Sequence, residues 1–137
     1  MKIKCIYNTG EILMKSQRKP LYVSEKTQYG ELEIGREYLV MGILMNEGFM
    51  DYLIDGDGII SSYPSKLFDI VDRELPVNWF FSNDINEFAF IEAVWGYYEL
   101  TSDSKHFVGL IEMDVEAHRT YFRRKIEMET FFNDKIY

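Results

Sequence analysis

Residues 38–63 read YLVMGILMNEGFMDYLIDGDGIISSY. Two turn signals cut this stretch into three pieces. Asn46-Glu47-Gly48 separates Tyr38–Met45 from Phe49–Ile54, and Asp55-Gly56-Asp57-Gly58 separates the latter from Ile59–Tyr63. Tyr38–Met45 is too apolar for a strand with one wet face and too short for a helix of ordinary length, and its β-rich composition predicts a buried strand. Asn, Asp and Gly are the residues that adopt the positive φ angles of tight hairpins. The stretch therefore predicts a meander of three antiparallel strands.

The flanks extend this plan. Residues 2–7 read as a first strand ended by the turn residues Asn8-Thr9-Gly10. Glu11–Gly30 mixes Lys15, Arg18, Lys19 and Pro20 with the short apolar piece Leu21-Tyr22-Val23, and reads as a long loop with room for an edge strand and for a contact surface. After the meander, Pro64 can open a single helical turn, and Phe68, Ile70 and Asp72 alternate like a last strand. A first strand, a long loop, a meander, one helical turn and a short final strand resemble the plan of an SH3-like barrel. The resemblance covers residues 2–72 and implies five strands. It lies in the layout alone, because the acidic and aromatic peptide-binding signature of signalling SH3 domains is missing.

Beyond the barrel, Leu75-Pro76-Val77-Asn78-Trp79-Phe80-Phe81 and Trp95-Gly96-Tyr97-Tyr98-Glu99-Leu100 resemble segments of short bacterial proteins, among them immunity proteins of toxin systems. That resemblance implies binding to a partner and no chemistry. Ile85, Phe88, Ile91, Trp95 and Tyr98 follow helical steps, while Phe88–Ile91 reads equally as a strand, so both readings stay open for 85–95. Thr101-Ser102-Asp103-Ser104 signals a helix start, and Val108, Ile111, Val115, Phe122 and Ile126 form an apolar stripe at helical spacing up to about Glu129. Asp114 is placed to break that helix and cap a second segment. The expected fold is α+β, with an SH3-like barrel over 1–80 and a mainly helical segment over 81–137 packed on it as one compact unit.

Charge is unevenly spread. Between Glu31 and His118 there are eighteen Asp and Glu residues against four Lys and Arg, and the chain as a whole carries net charge −8. Such a field disfavours nucleic acid and steers cationic proteins. The basic cluster Arg119, Arg123, Arg124 and Lys125 is interleaved with Tyr121 and Phe122, but it is small and suits the C-terminal half of its own helix. Hydrophobic residues make up 47% of the chain, enough for a core in a chain of this length. The single cysteine, Cys5, cannot form an internal disulfide, which points to a reducing compartment and a cytoplasmic location. No apolar run reaches the roughly 20 residues that cross a bilayer, so no membrane partner is expected.

Chemistry-bearing patterns are few. Started at Asp55, an EF-hand register would need ligands or glycine where Ile59, Ile60 and Lys66 stand, so Asp55–Gly58 reads as a turn. His106 and His118 do not have the spacing of a metal pair. Asp114 and His118 stand at i and i+4, an ordinary boundary arrangement. Glu112, Asp114 and Glu116 spread around a helix, with Glu116 one turn from Arg119. Nothing calls for a cofactor. Tyr63, Trp79, Trp95, Tyr97 and Tyr98 are aromatic enough to line a groove between the two parts. The leading reading is a non-catalytic protein that uses acidic and aromatic surface against a basic partner, with Asp51, Asp55, Asp57, Glu74 and Trp79 as the binding candidates. One alternative is a small enzyme or ligand-binding protein with a pocket between barrel and helices using His118 or Asp114. Another is an oligomerising protein using Ile126, Met128, Phe131 and Phe132.

Overall fold

The computed structural model describes residues 1–16, 19–20, 23–84 and 91–133. It is α+β, with two antiparallel sheets and a helical C-terminal part. In chain order the first three strands are β1 (Lys2–Cys5), β2 (Glu37–Leu39) and β3 (Gly42–Asn46), with a short helix α1 (Glu11–Met14) inside the long loop between β1 and β2. The meander continues through β4 (Phe49–Gly56) and β5 (Ile59–Pro64), then a 3-10 turn at Ser65–Leu67 and β6 (Phe68–Asp72). The expected edge strand at Leu21–Val23 lies largely outside the described residues.

Both meander turns are two-residue hairpins with positive φ at each central position: Glu47 at 51° and Gly48 at 83°, Asp57 at 49° and Gly58 at 82°. That geometry matches the twist of the flanking strands and accounts for Gly in second place. The expected single strand over 38–45 is two strands. The Val40 amide donates to Met1 O (3.0 Å) and the next amide, Met41, donates to Leu53 O (2.8 Å), so the chain changes partners between these residues. β2 consequently joins β1 and β6 in the sheet ordered β2-β1-β6, and β3 joins β4 and β5 in the other. The expected strand segments follow in the expected order, but with one of them divided there are six strands over residues 2–72 and not five, and among the described residues no ladder closes the two sheets into a barrel.

The second edge of β3 is taken by β8 (Ile91–Gly96), which also carries β7 (Phe80–Ser82). The ambiguity over 85–95 thus resolves as strand from Ile91 onward, and Ile85 and Phe88 lie outside the described residues. Local spacing could not decide this, because the strand exists through its register with β3. The cross-strand pair Gly42 and Gly96 leaves a dimple in the sheet. Leu100 fills it so closely that a Cβ on either glycine would stand 2.5 or 2.6 Å from Leu100 Cδ2. This contact seats α2 (Tyr98–Ser102) on the sheet.

Helices α3 (Ser104–Ile111) and α4 (Val115–Asn133) follow, broken where the sequence predicts. Met113 takes φ 60°, and Asp114 Oδ2 accepts the Ala117 amide at 3.0 Å, capping α4. The expected apolar stripe, however, does not face the core. On α4 the buried residues are Ala117, Tyr121, Met128 and Phe132, while Val115 and Ile126 are 66% and 65% exposed. The helix carries two apolar stripes, and the one with the large aromatic and methionine side chains packs. Met128 and Phe132 are therefore core residues and not an outer oligomerising surface.

Two cores result. One gathers Ile3, Cys5, Val40, Tyr52, Ile54, Leu67 and Phe68 between the sheets, and the other gathers Met41, Leu44, Leu53, Val94, Leu100, Phe107 and Tyr121 between the larger sheet and the helices. β4 divides its residues between them by alternation, with Tyr52 and Ile54 in one and Leu53 in the other. Burying both faces of one strand makes β3-β4 the spine of the molecule.

Candidate functional site

Strand β4 carries three of the binding candidates, and the fold gives them three different surroundings. Asp55 is 12% exposed. Its carboxylate accepts from Lys125 Nζ at 2.8 and 2.9 Å and from the Tyr121 hydroxyl at 3.1 Å. Burial, with the adjacent Asp55 charge second, holds the Tyr121 phenol well above its ordinary range. This carboxylate fastens α4 to the sheet. Asp57, at the hairpin tip, is 68% exposed and pairs with Arg36 at 2.9 Å.

Asp51 differs from both. It lies half-buried at the start of β4, and burial pushes its carboxyl up to about 6, with a hydrogen bond from Asn46 opposing the rise. Desolvation therefore outweighs the polar contact here. The Tyr29 phenol is also raised, by burial first and by the Asp51 charge second.

A cavity of about 770 Å³ opens over this carboxylate. Its walls come from three segments distant in sequence: the long loop (Leu13, Ser16, Pro20, Val23), the β3–β4 hairpin (Asn46 to Asp51) and the turn after β5 (Pro64 to Lys66). Each segment presents apolar side chains for a local reason. Leu13 is held by α1, Phe49 and Met50 begin β4 beyond the hairpin, and Pro64 introduces the 3-10 turn. The loop is tied across to that turn by Lys66 Nζ donating to Ser16 Oγ at 2.7 Å. The groove is thus apolar-walled, with Asp51 and Glu47 as its acids and Lys66 as its base. The volume suits a small ligand or a few side chains of a peptide.

The remaining candidates lie elsewhere. Glu74 is exposed just beyond β6, where its amide donates to Asp72 Oδ1 at 2.9 Å. Trp79 is half-buried and packs against both cores, and its indole N–H finds no acceptor among the described residues. The five aromatic residues do not share a groove: Tyr63 belongs to one core and Tyr97 to the other. Tyr98 instead meets Phe80 edge-on at 5.4 Å, and Trp95 meets Phe81 at 4.9 Å.

Asp114 is occupied as a cap, and neither it nor His118 lines the groove over Asp51 or the smaller cavities against α4. His106 is buried with Nε2 in hydrogen-bond contact with the Tyr97 hydroxyl at 2.6 Å, and burial lowers its pKa. Among the described residues no group of three or more His, Cys, Asp or Glu side chains is gathered to hold a metal ion.

The basic cluster of α4 is largely spent inside the molecule. Arg124 clamps Glu99 of α2 through Nε at 2.9 and 3.0 Å and through a closer Nη2 contact, and it also meets Glu127 at 2.9 Å. Those bonds, the Arg124 pair first, hold the Glu99 carboxyl below its usual range. Arg119 pairs with Glu116 at 2.8 Å, as their spacing predicts. Sequence reasoning singled out Asp51 and the long loop but missed the hydrophobic walls, since Phe49, Met50 and Pro64 read simply as strand and turn residues. No protein-family model, curated protein or solved structure matches this chain.

Proposed function

We propose that this chain is a non-catalytic binding protein that receives an extended segment of a basic protein partner in the groove over Asp51. The observation that carries the reading is the pairing of one desolvated carboxylate with apolar walls in an open cavity. A Lys or Arg side chain entering the groove would regain for Asp51 the stabilisation that burial removes, while apolar neighbours of that cation cover Leu13, Val23, Phe49 and Met50. The net acidity of the chain would speed the approach of such a partner. An immunity-type role, in which a basic toxin is the partner, fits the same surface.

The chain order of β1, the long loop, the bent β2–β3 segment, β4, β5, the 3-10 turn and β6 returning beside β1 supports reading residues 2–72 as SH3-like. In that reading β7, β8 and the helices are additions.

The test is a titration of isotopically labelled protein with two short peptides, extended and apolar, identical except for one Arg in the first and Gln in its place in the second. Amide signals of Asn46–Asp51, Ser65 and Lys66 should move with the Arg peptide and respond weakly to its Gln counterpart. Equal responses to both, or movement confined to other regions, would overturn the reading.

A further inference from the structure

The outward face of α4 bears a second apolar stripe that the fold leaves uncovered. Val115, Arg119, Phe122, Ile126, Glu129 and Asn133 succeed one another at steps of 4, 3, 4, 3 and 4, and all six are exposed. Steps alternating between three and four are the seam spacing of paired helices, in which each seam residue seats between residues of a facing helix. None of these residues lines the groove over Asp51, and Glu129 and Asn133, at the edge of the stripe, also border the smaller cavity shared with Lys2 and Arg36, so the observation stands apart from the proposed function.

The charges on the seam say what can face it. Arg119 lies near one end and Glu129 near the other, with Phe122 and Ile126 between them. Set parallel, two such helices place arginine against arginine and glutamate against glutamate. Set antiparallel, they place Arg119 against Glu129 of the other copy at both ends, Phe122 against Ile126 in the two central layers, and Val115 against Asn133 outermost. The face is complementary to itself in one direction only. Arg119 at present meets Glu116, an exposed pair whose exchange for an intermolecular partner costs little. Arg123, which would meet its own copy on the flank of such a pair, stands 3.6 Å from Glu99 and is partly neutralised there.

We infer that α4 is a self-association surface, through which a second copy of this chain docks antiparallel on the Val115–Asn133 seam with Arg119 and Glu129 as the reciprocal charge pair. A two-fold pairing of one patch with itself is the commonest way soluble chains associate. With two apolar layers at its centre, the contact is a weak one.

Sedimentation velocity of the full chain from about 1 µM to about 1 mM, the span of weak protein pairs, should show a monomer giving way to a dimer. Arg119→Glu and Glu129→Arg should each raise the dissociation constant about tenfold or more by opposing like charges, and the double variant carrying both changes should return it to within about threefold of the unaltered chain. Ile126→Asp should abolish the dimer while leaving the circular dichroism and the Arg-peptide response of the groove unchanged. A monomer throughout the range would overturn the inference. So would a dimer indifferent to these substitutions, or a double variant as weak as the singles.

Discussion

Asp51 and Asp55 stand four residues apart on the same strand, yet one is held by two donors of α4 and the other looks into an open groove with its carboxyl pushed up to about 6. Asp57, two residues further, is a surface acid with a surface partner. In the sequence the three are equivalent members of an acidic run. The fold separates them by what each loses in leaving water and what it receives in return. Asp55 loses most of its hydration and receives an ammonium and a hydroxyl, Asp57 loses little, and Asp51 loses much and receives one amide hydrogen bond. The uncompensated carboxylate is the one available for a ligand.

The largest effect is expected at Asp55. Asp55→Ala leaves the Lys125 ammonium and the fully buried Tyr121 hydroxyl without their shared acceptor, and should cost about 2–3 kcal/mol of stability in urea unfolding at neutral pH. A loss below about 0.5 kcal/mol would mean that α4 is held without this pair.

Asp51→Asn should act in the opposite direction. Because the folded-state pKa is raised from 3.8 to about 6, the folded protein binds more protons than the unfolded chain within that window. The stability contributed by this group is then present below about pH 4 and lost as pH rises through about 6. Replacing it with an uncharged amide should therefore stabilise the protein by up to roughly 2–3 kcal/mol above about pH 6, with the gain fading toward nothing below about pH 4. Destabilisation at neutral pH would contradict the account. Asp57→Asn should change stability by no more than about 0.5 kcal/mol, since its pair with Arg36 is exposed and Asn tolerates the positive φ of the turn.

A further pH effect belongs to the other core. His106 is buried against Tyr97 with its pKa lowered by burial, so the unfolded chain takes up the proton more readily. Glu99 and Asp103 oppose that shift without reversing it. Stability from the neutral imidazole is present above the ordinary histidine pKa and declines as pH falls through it. Unfolding followed from pH 8 to 5 should show that decline, and His106→Gln should flatten it.

What was legible in the sequence follows a physical line. Glu47-Gly48 and Asp57-Gly58 were readable because a hairpin turn is chosen by two residues and their φ angles. The Asp114 break was readable because a cap is chosen by one side chain and the amide three residues on. The packed face of α4 was not, since Val115, Phe122 and Ile126 have the same helical spacing as Ala117, Tyr121, Met128 and Phe132, and only the partner surface chooses between the stripes. β8 and the division of Tyr38–Met45 into two strands depend on distant partners in the same way. The groove shares this character: Asp51 was recognisable as an acid, but its walls come from Leu13, Phe49 and Pro64, which no local window joins.

Asp51 is the uncompensated carboxylate that a cation entering the groove would satisfy. Its side-chain carboxyl signal, followed by carbon-13 NMR against pH with and without the Arg peptide, tests this directly. The prediction is a midpoint near 6 in the free protein, displaced toward lower pH when the Arg peptide is bound and left in place by the Gln peptide. A midpoint at the ordinary carboxylate value of about 3.8 in the free protein, unmoved by either peptide, would contradict it.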